Sequence, residues 1–445
     1  MYLTTTIHIT HNTHGAEYIP TLHNLCYHAA RMYNTGLYNV KQHFFNTQNY
    51  LNYYNNYHIA KNNENYSILY SSTAQQILRL VDRDMNAFFK LLMLKKCGKY
   101  SEKVKLPKYK DKNALAMYTI QAQGIRLING KLRHGLTINY RKLYGDQFKY
   151  IEFTLPKNID YKTIKEVRII PLYNGVEYNV EIVYNKEIQP KSKADGVLSI
   201  DPGLSNLLTC VSYSNSKPMS SFIIDGGYIK SVNYYYNKQK AQLQSLYDLT
   251  NVSGITKRMR RLSNGRKNRI NNYFNNVVKH LTDYCMTNGI GTIVMGYNEY
   301  QKQGCNIGKV NNQNDVMIPM HHLRSKLMSE CELLGIDLIF QEESYTSKAC
   351  SLNLDVIPTY SKDNDMEYMF SGKRVKRGLY KSNEGICINA DVNGSINIYR
   401  KYLTCKSKAD ISADDIRAFV NRPVGRIKSK DLLSPTSQPL LGGGS

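Results

Sequence analysis

The sequence contains no tryptophan, and its 35 Asp and Glu are outnumbered by 59 Lys and Arg. Its nine cysteines are scattered and include no C-x-x-C pair, which argues against a disulfide framework and a zinc ribbon and fits a reducing cytoplasm. No run of about 20 apolar residues is present, so we expect no membrane-spanning helix. The first residues, Met1 to Thr6, lack the basic start and apolar core of a secretory signal.

The net charge of +24 and the pI near 9.4 favour a polyanionic partner, for which nucleic acid is the default candidate. A membrane surface would require an amphipathic basic helix, and none is visible. The 445 residues exceed the roughly 250–300 that one core usually organises, so at least two domains are expected.

The first half of the chain combines strands with a helical segment. Alternating residues predict a strand from Tyr2 to Thr10, and helical spacing of apolar residues runs from about Ile19 to Lys96. Lys103 to Lys110 is a basic extended stretch around a proline. Five more strands and Asn-Gly turns at 129–130 and 174–175 suggest a small split β-barrel. These strands are Tyr118 to Gln123, Ile125 to Leu132, Phe148 to Leu155, Val167 to Pro171 and Glu177 to Val183.

The second half begins after a polar hinge at 189–193, with the apolar run Gly196 to Asp201. Further strand patterns alternate with helical ones, which predicts an α/β sheet. These strands are Leu207 to Val211, Ser221 to Ile224, Thr292 to Met295 and Leu338 to Gln341.

A long helical pair is predicted between Lys230 and Lys279, with its linker at 257–261. From 229 to 281 there are eleven Lys or Arg and one acidic residue, Asp248. Because an ordinary solvated helix face mixes both signs of charge, this composition favours contact with phosphates over a merely solvated face. The candidate nucleic-acid-binding residues are Lys257, Arg258, Arg260, Arg261, Arg266, Lys267 and Arg269.

Three carboxylates lie on separate predicted elements, as two-metal phosphodiester chemistry requires. Asp201 ends a buried strand, although it could simply cap a turn. Glu343 follows another strand beside Glu342, and one of these two acids is expected to be solvated or bonded to Lys348. Asp391 precedes small residues at 394 and 395 that would let a helix approach the sheet; its alternative role is an N-cap.

Together these segments resemble the three RuvC motifs of TnpB, the transposon-encoded nucleases related to eukaryotic Fanzor proteins and type V CRISPR effectors. The resemblance covers most of the chain. It also rests on Ser72 to Gln76 with Phe88-Phe89, on Leu106 to Lys110, and on Ser371 to Tyr380 followed by Asn389 to Gly394.

The sequence departs from the commonest TnpB pattern at the second acid. Gly296 stands where that pattern has a carboxylate after the strand Thr292 to Met295. A subset of TnpB and Fanzor proteins resembles this chain in carrying the acid later, three residues before a Thr-Ser, and Glu343 has that spacing from Thr346-Ser347. Glu342 is the fallback, and Glu299 is a weaker third choice.

A second departure concerns zinc. Many relatives carry two Cys pairs between the second and third motifs, whereas this interval contains only Cys350 and Cys387. We therefore expect the insert at 346–386 to fold without zinc.

The resemblance implies an RNase H-like (RuvC) α/β nuclease domain with inserted helices, preceded by a split β-barrel wedge and an α-helical recognition domain. The wedge would comprise 1–18 and 103–190, the recognition domain 19–102, and the nuclease domain 195–405, including the basic helical insert 229–281. A tail at 406–445 is expected to be flexible, and the final Gly-Gly-Gly-Ser is typical of an added linker.

The resemblance further implies an Mg²⁺-dependent DNA endonuclease guided by a transposon-derived RNA, which cuts matching double-stranded DNA beside a short flanking motif. Asp201, Glu343 and Asp391 would hold two Mg²⁺ ions. Further nucleic-acid contacts are expected at Lys373, Arg374, Lys376 and Arg377, unless these belong to a solvated loop. No membrane partner is expected, and a monomer is favoured.

Three alternatives remain open. A nuclease-dead, RNA-guided repressor would explain Gly296. A guide-independent, structure-specific nuclease would share the fold and metals but leave the N-terminal half without a purpose. A transposase that itself joins DNA ends agrees less well with the family resemblance.

Overall fold

The computed structural model describes residues 1–215, 217–250, 254–298, 318–360, 367–376 and 378–433. The chain divides into two units, Met1–Glu187 and Ile188–Ser445.

The strands of the first unit form two antiparallel sheets. The first sheet has four strands in the order β1-β7-β6-β2, and the second has three in the order β3-β4-β5. Asn129 and Asn174 have φ of 50° and 57°, as expected for the predicted Asn-Gly turns. The strands are β1 Tyr2–Ile9, β2 Tyr118–Gln121, β3 Arg126–Ile128, β4 Lys131–Gly135, β5 Tyr150–Thr154, β6 Ile164–Leu172 and β7 Glu177–Asn185.

The helices of this unit share one hydrophobic core with its strands. Leu22 and Leu25 from α1 and Leu78 from α4 are buried in the same cluster as Ile169 and Val180 from the sheet. The boundary predicted at residue 102 therefore does not separate two cores. The helices are α1 Ile19–Thr47, α2 Tyr53–Ala60, α3 Glu64–Ile68, α4 Ser71–Lys96 and α5 Ile138–Tyr144.

The second unit is built on a mixed sheet in the order β13-β12-β8-β9-β11-β17, with β10 pairing β9. Strands β13, β12 and β8 are parallel, while β9 is antiparallel to both β8 and β11. A separate three-stranded sheet contains β14, β15 and β16. The strands are β8 Gly196–Pro202, β9 Asn206–Ser214, β10 Lys217–Pro218, β11 Phe222–Asp225, β12 Ile290–Tyr297, β13 Asp337–Glu342, β14 Lys373–Lys376, β15 Leu379–Lys381, β16 Cys387–Asn389 and β17 Gly425–Ile427.

Helices cover both faces of the large sheet. Side chains alternate along β8, so that Leu198 and Ile200 join one hydrophobic cluster with α7 and α8, whereas Val197 joins the other cluster with α9. The helices of this unit are α6 Gly227–Leu249, α7 Lys257–Thr287, α8 Met320–Leu334, α9 Ala390–Cys405, α10 Ala413–Asn421 and α11 Ser429–Leu433.

The predicted linker at 257–261 is wrong, because these residues form the first turns of α7. The hydroxyl of Thr256 caps this helix by accepting a hydrogen bond from the Met259 amide at 3.3 Å. A run of arginines supports a helix well, and the N-cap threonine marks its start.

The flexible tail predicted from 406 is also wrong for residues 413–433, which form α10, β17 and α11. Strand β17 pairs in parallel with β11 at the edge of the sheet. On α10, the side chains of Ile416 and Phe419 are buried. These elements are short, so their periodicity is weak in the sequence, and they are stable because the sheet is already present. The terminal linker-like residues lie outside the described part of the chain.

Among the described helices, none is long and apolar enough to cross a membrane.

We expect Phe419→Ala to lower the free energy of unfolding by about 3–5 kcal/mol, because Phe419 is only 1% exposed in the α10 core. Urea unfolding of the full chain would measure this loss. Arg417→Ala on the exposed side of α10 is the control and should change stability by about 0.5 kcal/mol or less. Equal stability of the Phe419 variant and the parent would mean that α10 does not pack as described.

Candidate active site

Asp201 lies at the carboxyl end of β8 on the face covered by α9. On the same face, the hydroxyl of Ser199 donates to the carbonyl of Ser395 at 2.7 Å, and the hydroxyl of Ser395 donates to the carbonyl of Ser199 at 2.9 Å. At Gly394 an added Cβ would lie 2.6 Å from Oδ2 of Asp201. A residue without a side chain is therefore required for the close approach of helix and strand.

Glu343 follows the last residue of β13, and its carboxylate lies against Gly296 on the neighbouring strand β12. An added Cβ at Gly296 would be 2.5 Å from Oε2 of Glu343. Gly296 follows the Met295–Ile200 pair of β12 and β8, so it lies beside Asp201 in the sheet. The Glu343 carboxylate thus occupies the space into which a side chain at position 296 would project.

Glu342 is held elsewhere. Its carboxylate pairs with the buried ammonium of Lys401 and accepts a hydrogen bond from the Ser344 amide at 2.7 Å. Burial alone would raise the pKa of Glu342, but these hydrogen bonds outweigh it and lower the pKa. The expectation that one of the two acids is solvated or bonded to Lys348 is wrong for Glu342, which pairs with Lys401 instead. The ammonium of Lys348 lies 5.8 Å from the centre of the Tyr345 ring.

Asp391 lies in the first turn of α9, but it is not the N-cap. That role belongs to Asn389, whose side chain accepts from the amides of Asp391 and Val392. The Asp391 carboxylate accepts a 2.7 Å hydrogen bond from the Asn206 amide group and forms an ion pair with Arg374 at 3.3 Å. Helix geometry thus turns the carboxylate towards the end of β8.

Two buried asparagines of α9 hold the backbone that follows Glu343. Asn393 donates to the carbonyl of Ala349 at 2.8 Å, and Asn397 donates to the carbonyls of Thr346 and Ala349 at 2.9 and 2.7 Å. The hydroxyl of Thr346 in turn donates to the carbonyl of Glu343 at 2.8 Å. These hydrogen bonds couple the position of Glu343 to the helix that carries Asp391.

The three carboxylates influence one another electrostatically. Burial raises the pKa of Asp201 well above its usual value; the charges of Glu343 and Asp391 add to this effect, and Arg374 opposes it. Burial also raises the pKa of Glu343, which the nearby Arg324 partly offsets. The fold therefore concentrates negative charge at one end of the sheet.

This arrangement suits a hard divalent cation such as Mg²⁺, which prefers oxygen ligands. All three carboxylates are partly open to solvent, and within the described residues the side chains of Asp201 and Glu343 make no hydrogen bond or ion pair. In the described ranges, no group of three His, Cys, Asp or Glu side chains is arranged to hold a metal ion. Binding would therefore require a small movement of these side chains.

Sequence reasoning missed four residues around the site. Asn206 orients Asp391 and itself accepts a 3.3 Å hydrogen bond from Arg426 on β17. Arg324 lies near Glu343, with its guanidinium 4.7 Å from the centre of the Tyr297 ring. Lys401 engages Glu342. Asn206 was part of the recognised Asp201 motif, but the other three lie on elements whose approach no local pattern reveals.

The candidate nucleic-acid-binding residues lie in two places. The seven residues from Lys257 to Arg269 are all on the first half of α7, where Arg266 is half-buried and donates a 2.7 Å hydrogen bond to Asn233 of α6. Lys373, Arg374 and Lys376 are exposed on β14. Arg377, like the weaker candidate acid Glu299, lies outside the described residues.

Comparison with known proteins supports the resemblance. The family described as "Probable transposase" (OrfB_IS605) matches residues 176–301, and the family "Cas12f1-like, TNB domain" matches residues 321–398. The "TnpB-like protein ORF457" of Acidianus two-tailed virus is 26% identical over 411 residues, which cover 84% of this chain and 81% of that protein.

Among solved structures, a "Cas12f1-sgRNA-target DNA complex" studied by cryo-EM has a TM-score of 0.52 and 15% identity, covering 86% of this chain and 82% of that one. At this identity the likeness concerns the fold alone. The matches confirm the resemblance to TnpB, and the structural likeness shows a Cas12-like fold.

We expect Asp201→Asn to stabilise the protein at pH 7 in EDTA, because the raised pKa means that the ionised carboxylate costs stability in the folded state. This cost appears as the pH rises above the unfolded-state pKa, near 3.9, and is absent below it. Thermal melting would measure the gain. Mg²⁺ should stabilise the parent protein but not the variant; lower stability of the variant in EDTA would contradict the repulsion between carboxylates.

We expect Gly296→Ala to weaken Mn²⁺ binding about tenfold or more, because the new methyl group would displace the carboxylate of Glu343. Titration of Mn²⁺, followed by the paramagnetic resonance of the free ion, would measure this change. Gly425→Ala is the matched control, since its added Cβ would meet only ordinary contacts at 3.5 Å or more. Unchanged Mn²⁺ affinity in the Gly296 variant would show that Glu343 is not a ligand.

Proposed function

We propose that this chain is an RNA-guided DNA endonuclease. It binds a transposon-derived guide RNA and cleaves matching double-stranded DNA beside a short flanking motif by two-metal hydrolysis. The observation that carries this proposal is the approach of Glu343 to Asp201 and Asp391, with the Glu343 carboxylate in the space left by Gly296.

In the proposed centre, Asp201, Asp391 and Glu343 hold two Mg²⁺ ions. A bound pair of such ions supplies an activated water and a positive charge for the departing 3′ oxygen. Asn206 keeps the Asp391 carboxylate turned towards the site, and Thr346 and Asn397 keep Glu343 in place.

Arg374 has a second task in this proposal. It is 45% exposed and pairs with Asp391, so its guanidinium lies between the carboxylates and solvent. An incoming DNA phosphate offers this arginine a bidentate partner and leaves Asp391 for the metal. Arg374 would thus shield the negative charge of the site before the strand arrives and hold that strand afterwards.

The proposed partners follow from charge and from the nucleic acids bound in one structural neighbour. That neighbour is a complex of Cas12f1 with a single-guide RNA and target DNA. In this chain, the net charge of +24 suits a backbone-bound RNA–DNA heteroduplex, whose sequence is read by base pairing rather than by the protein. The cationic half of α7 suits the phosphates of the guide RNA.

Two of the alternatives predict different behaviour. A nuclease-dead repressor would leave the position beside Asp201 without an acid, whereas Glu343 reaches it from β13. A guide-independent nuclease would need no copurifying RNA. Protein purified from cells that express the neighbouring transposon-end RNA should carry a discrete RNA and cut a matching target in Mg²⁺; cutting without RNA would contradict guidance.

The neighbouring acids Glu343 and Glu342 provide a matched pair of variants. We expect Glu343→Gln to reduce cleavage of the matching target by at least about 100-fold while the copurified RNA is retained, because a proposed ligand charge is lost. The measurement is the single-turnover rate of DNA cleavage with a fixed amount of RNA–protein complex.

Glu342→Gln should have the opposite effect. It removes the charged partner of Lys401, a side chain only 5% exposed, so we expect a loss of about 1–3 kcal/mol in stability. Cleavage at low temperature should remain within a few-fold of the parent. If the Glu343 variant still cut DNA and the Glu342 variant did not, the proposed catalytic role of Glu343 would be wrong.

A further inference from the structure

A cavity of about 330 Å³ lies on the surface formed by the two long helices α6 and α7. Apolar side chains form part of its lining, as is usual for ligand sites of this size, and cationic and aromatic side chains complete it. The lining residues that matter here are Tyr235 and Tyr236 from α6 and Arg258, Arg261, Gly265 and Arg269 from α7.

The charge of this cavity is of one sign. Among the described residues that line it there are four arginines and no Asp or Glu. Arg258, Arg261 and Arg269 are exposed, and within the described part of the chain they make no hydrogen bond or ion pair. Guanidinium groups placed together without carboxylates favour an anion with several acceptor oxygens, such as a phosphate.

Arg266 differs from the other three, because it helps to build the wall. Its Nε donates to Oδ1 of Asn233 at 2.7 Å, and its guanidinium lies 5.2 Å from the centre of the Tyr236 ring. Tyr236 is thereby held between the helices. Its neighbour Tyr235 is 52% exposed, which leaves an aromatic ring accessible at the rim.

Gly265 contributes to the space in this cavity. It lies in the middle of α7, where glycine weakens a helix relative to alanine. An added Cβ there would meet no described atom within 4 Å, so packing within the protein does not require a glycine. Gly265 lines the cavity, and the absence of a side chain there adds to the open space.

We propose that this cavity binds one unpaired nucleotide of the guide RNA, with its phosphates on Arg258, Arg261 and Arg269 and its base stacked on Tyr235. This inference rests on the proposed function. An unpaired nucleotide exposes the face of its base, which a duplex hides, and aromatic rings are common partners of such faces. The volume suits a single nucleotide.

The test uses the full chain, stripped of nucleic acid, and a 15-nucleotide fluorescein-labelled oligouridylate RNA. Fluorescence anisotropy at several NaCl concentrations gives the Kd and its salt dependence. Tyr235→Leu should weaken binding about 5- to 100-fold through the lost stacking, whereas Tyr235→Phe should bind like the parent. Tyr235 is exposed, so neither change is expected to disturb folding.

Two further pairs of variants distinguish the effect of filling the cavity from the effect of removing a positive charge. Gly265→Leu should weaken binding about tenfold with an unchanged salt slope, because it fills the cavity without removing a charge. Ala241→Leu adds the same side chain to the exposed surface of α6 and should have no effect. Arg261→Gln should reduce the salt slope by about 0.7, and Lys240→Gln, outside the cavity, should reduce affinity less.

The following outcomes would contradict the proposal. Equal binding by the parent, Tyr235→Leu and Gly265→Leu would overturn it, as would a Lys240 effect as large as that of Arg261. Binding of oligothymidylate DNA as tightly as RNA through the same residues would overturn the assignment to RNA. A parent that binds no oligouridylate would overturn the cavity proposal alone, since guided cleavage is judged separately by copurified RNA and the Glu343 variant.

Discussion

The contact between helix α9 and strand β8 is the constraint on which the candidate site depends. Small and polar residues make it: Gly394 leaves room for Asp201, and Ser199 and Ser395 exchange hydrogen bonds across the interface. A buried polar contact tolerates little displacement, because a separated donor or acceptor would lose its partner away from water. These contacts therefore fix the distance between the helix and the sheet, and that distance determines how far Asp391 lies from Asp201.

The same helix also controls the third acid. Asn393 and Asn397 hold the backbone carbonyls of the turn after Glu343, so a single element determines the positions of Glu343 and Asp391. This coupling accounts for the spacing of Glu343 from Thr346, whose hydroxyl bonds the glutamate carbonyl. The carboxylate of Glu343 fits at the end of β13 only because the glycine at 296 leaves its space open.

The site is costly for the folded state, as sites built for charged ligands often are. Burial and the charges of Glu343 and Asp391 raise the pKa of Asp201, and Arg374 offsets only part of this effect. Burial likewise raises the pKa of Glu343, which Arg324 offsets in part. Stability comes from elsewhere, from the two hydrophobic clusters on the faces of the sheet and from the late elements α10 and β17. Strand β17 also brings Arg426 to Asn206, so the edge of the sheet supports the orientation of Asp391.

The sequence by itself determined the local features: the strands, the long helices, the three acidic motifs and the excess of positive charge. These follow from periodicity, turn residues and composition, which act over a few residues. Tertiary structure alone placed Glu342 on Lys401 and Glu343 against Gly296, because Lys401 is 59 positions away from Glu342 along the chain. It also decided that residues 413–433 are ordered and that α7 begins at Lys257, since weak local signals become stable elements only against a surface formed by distant residues.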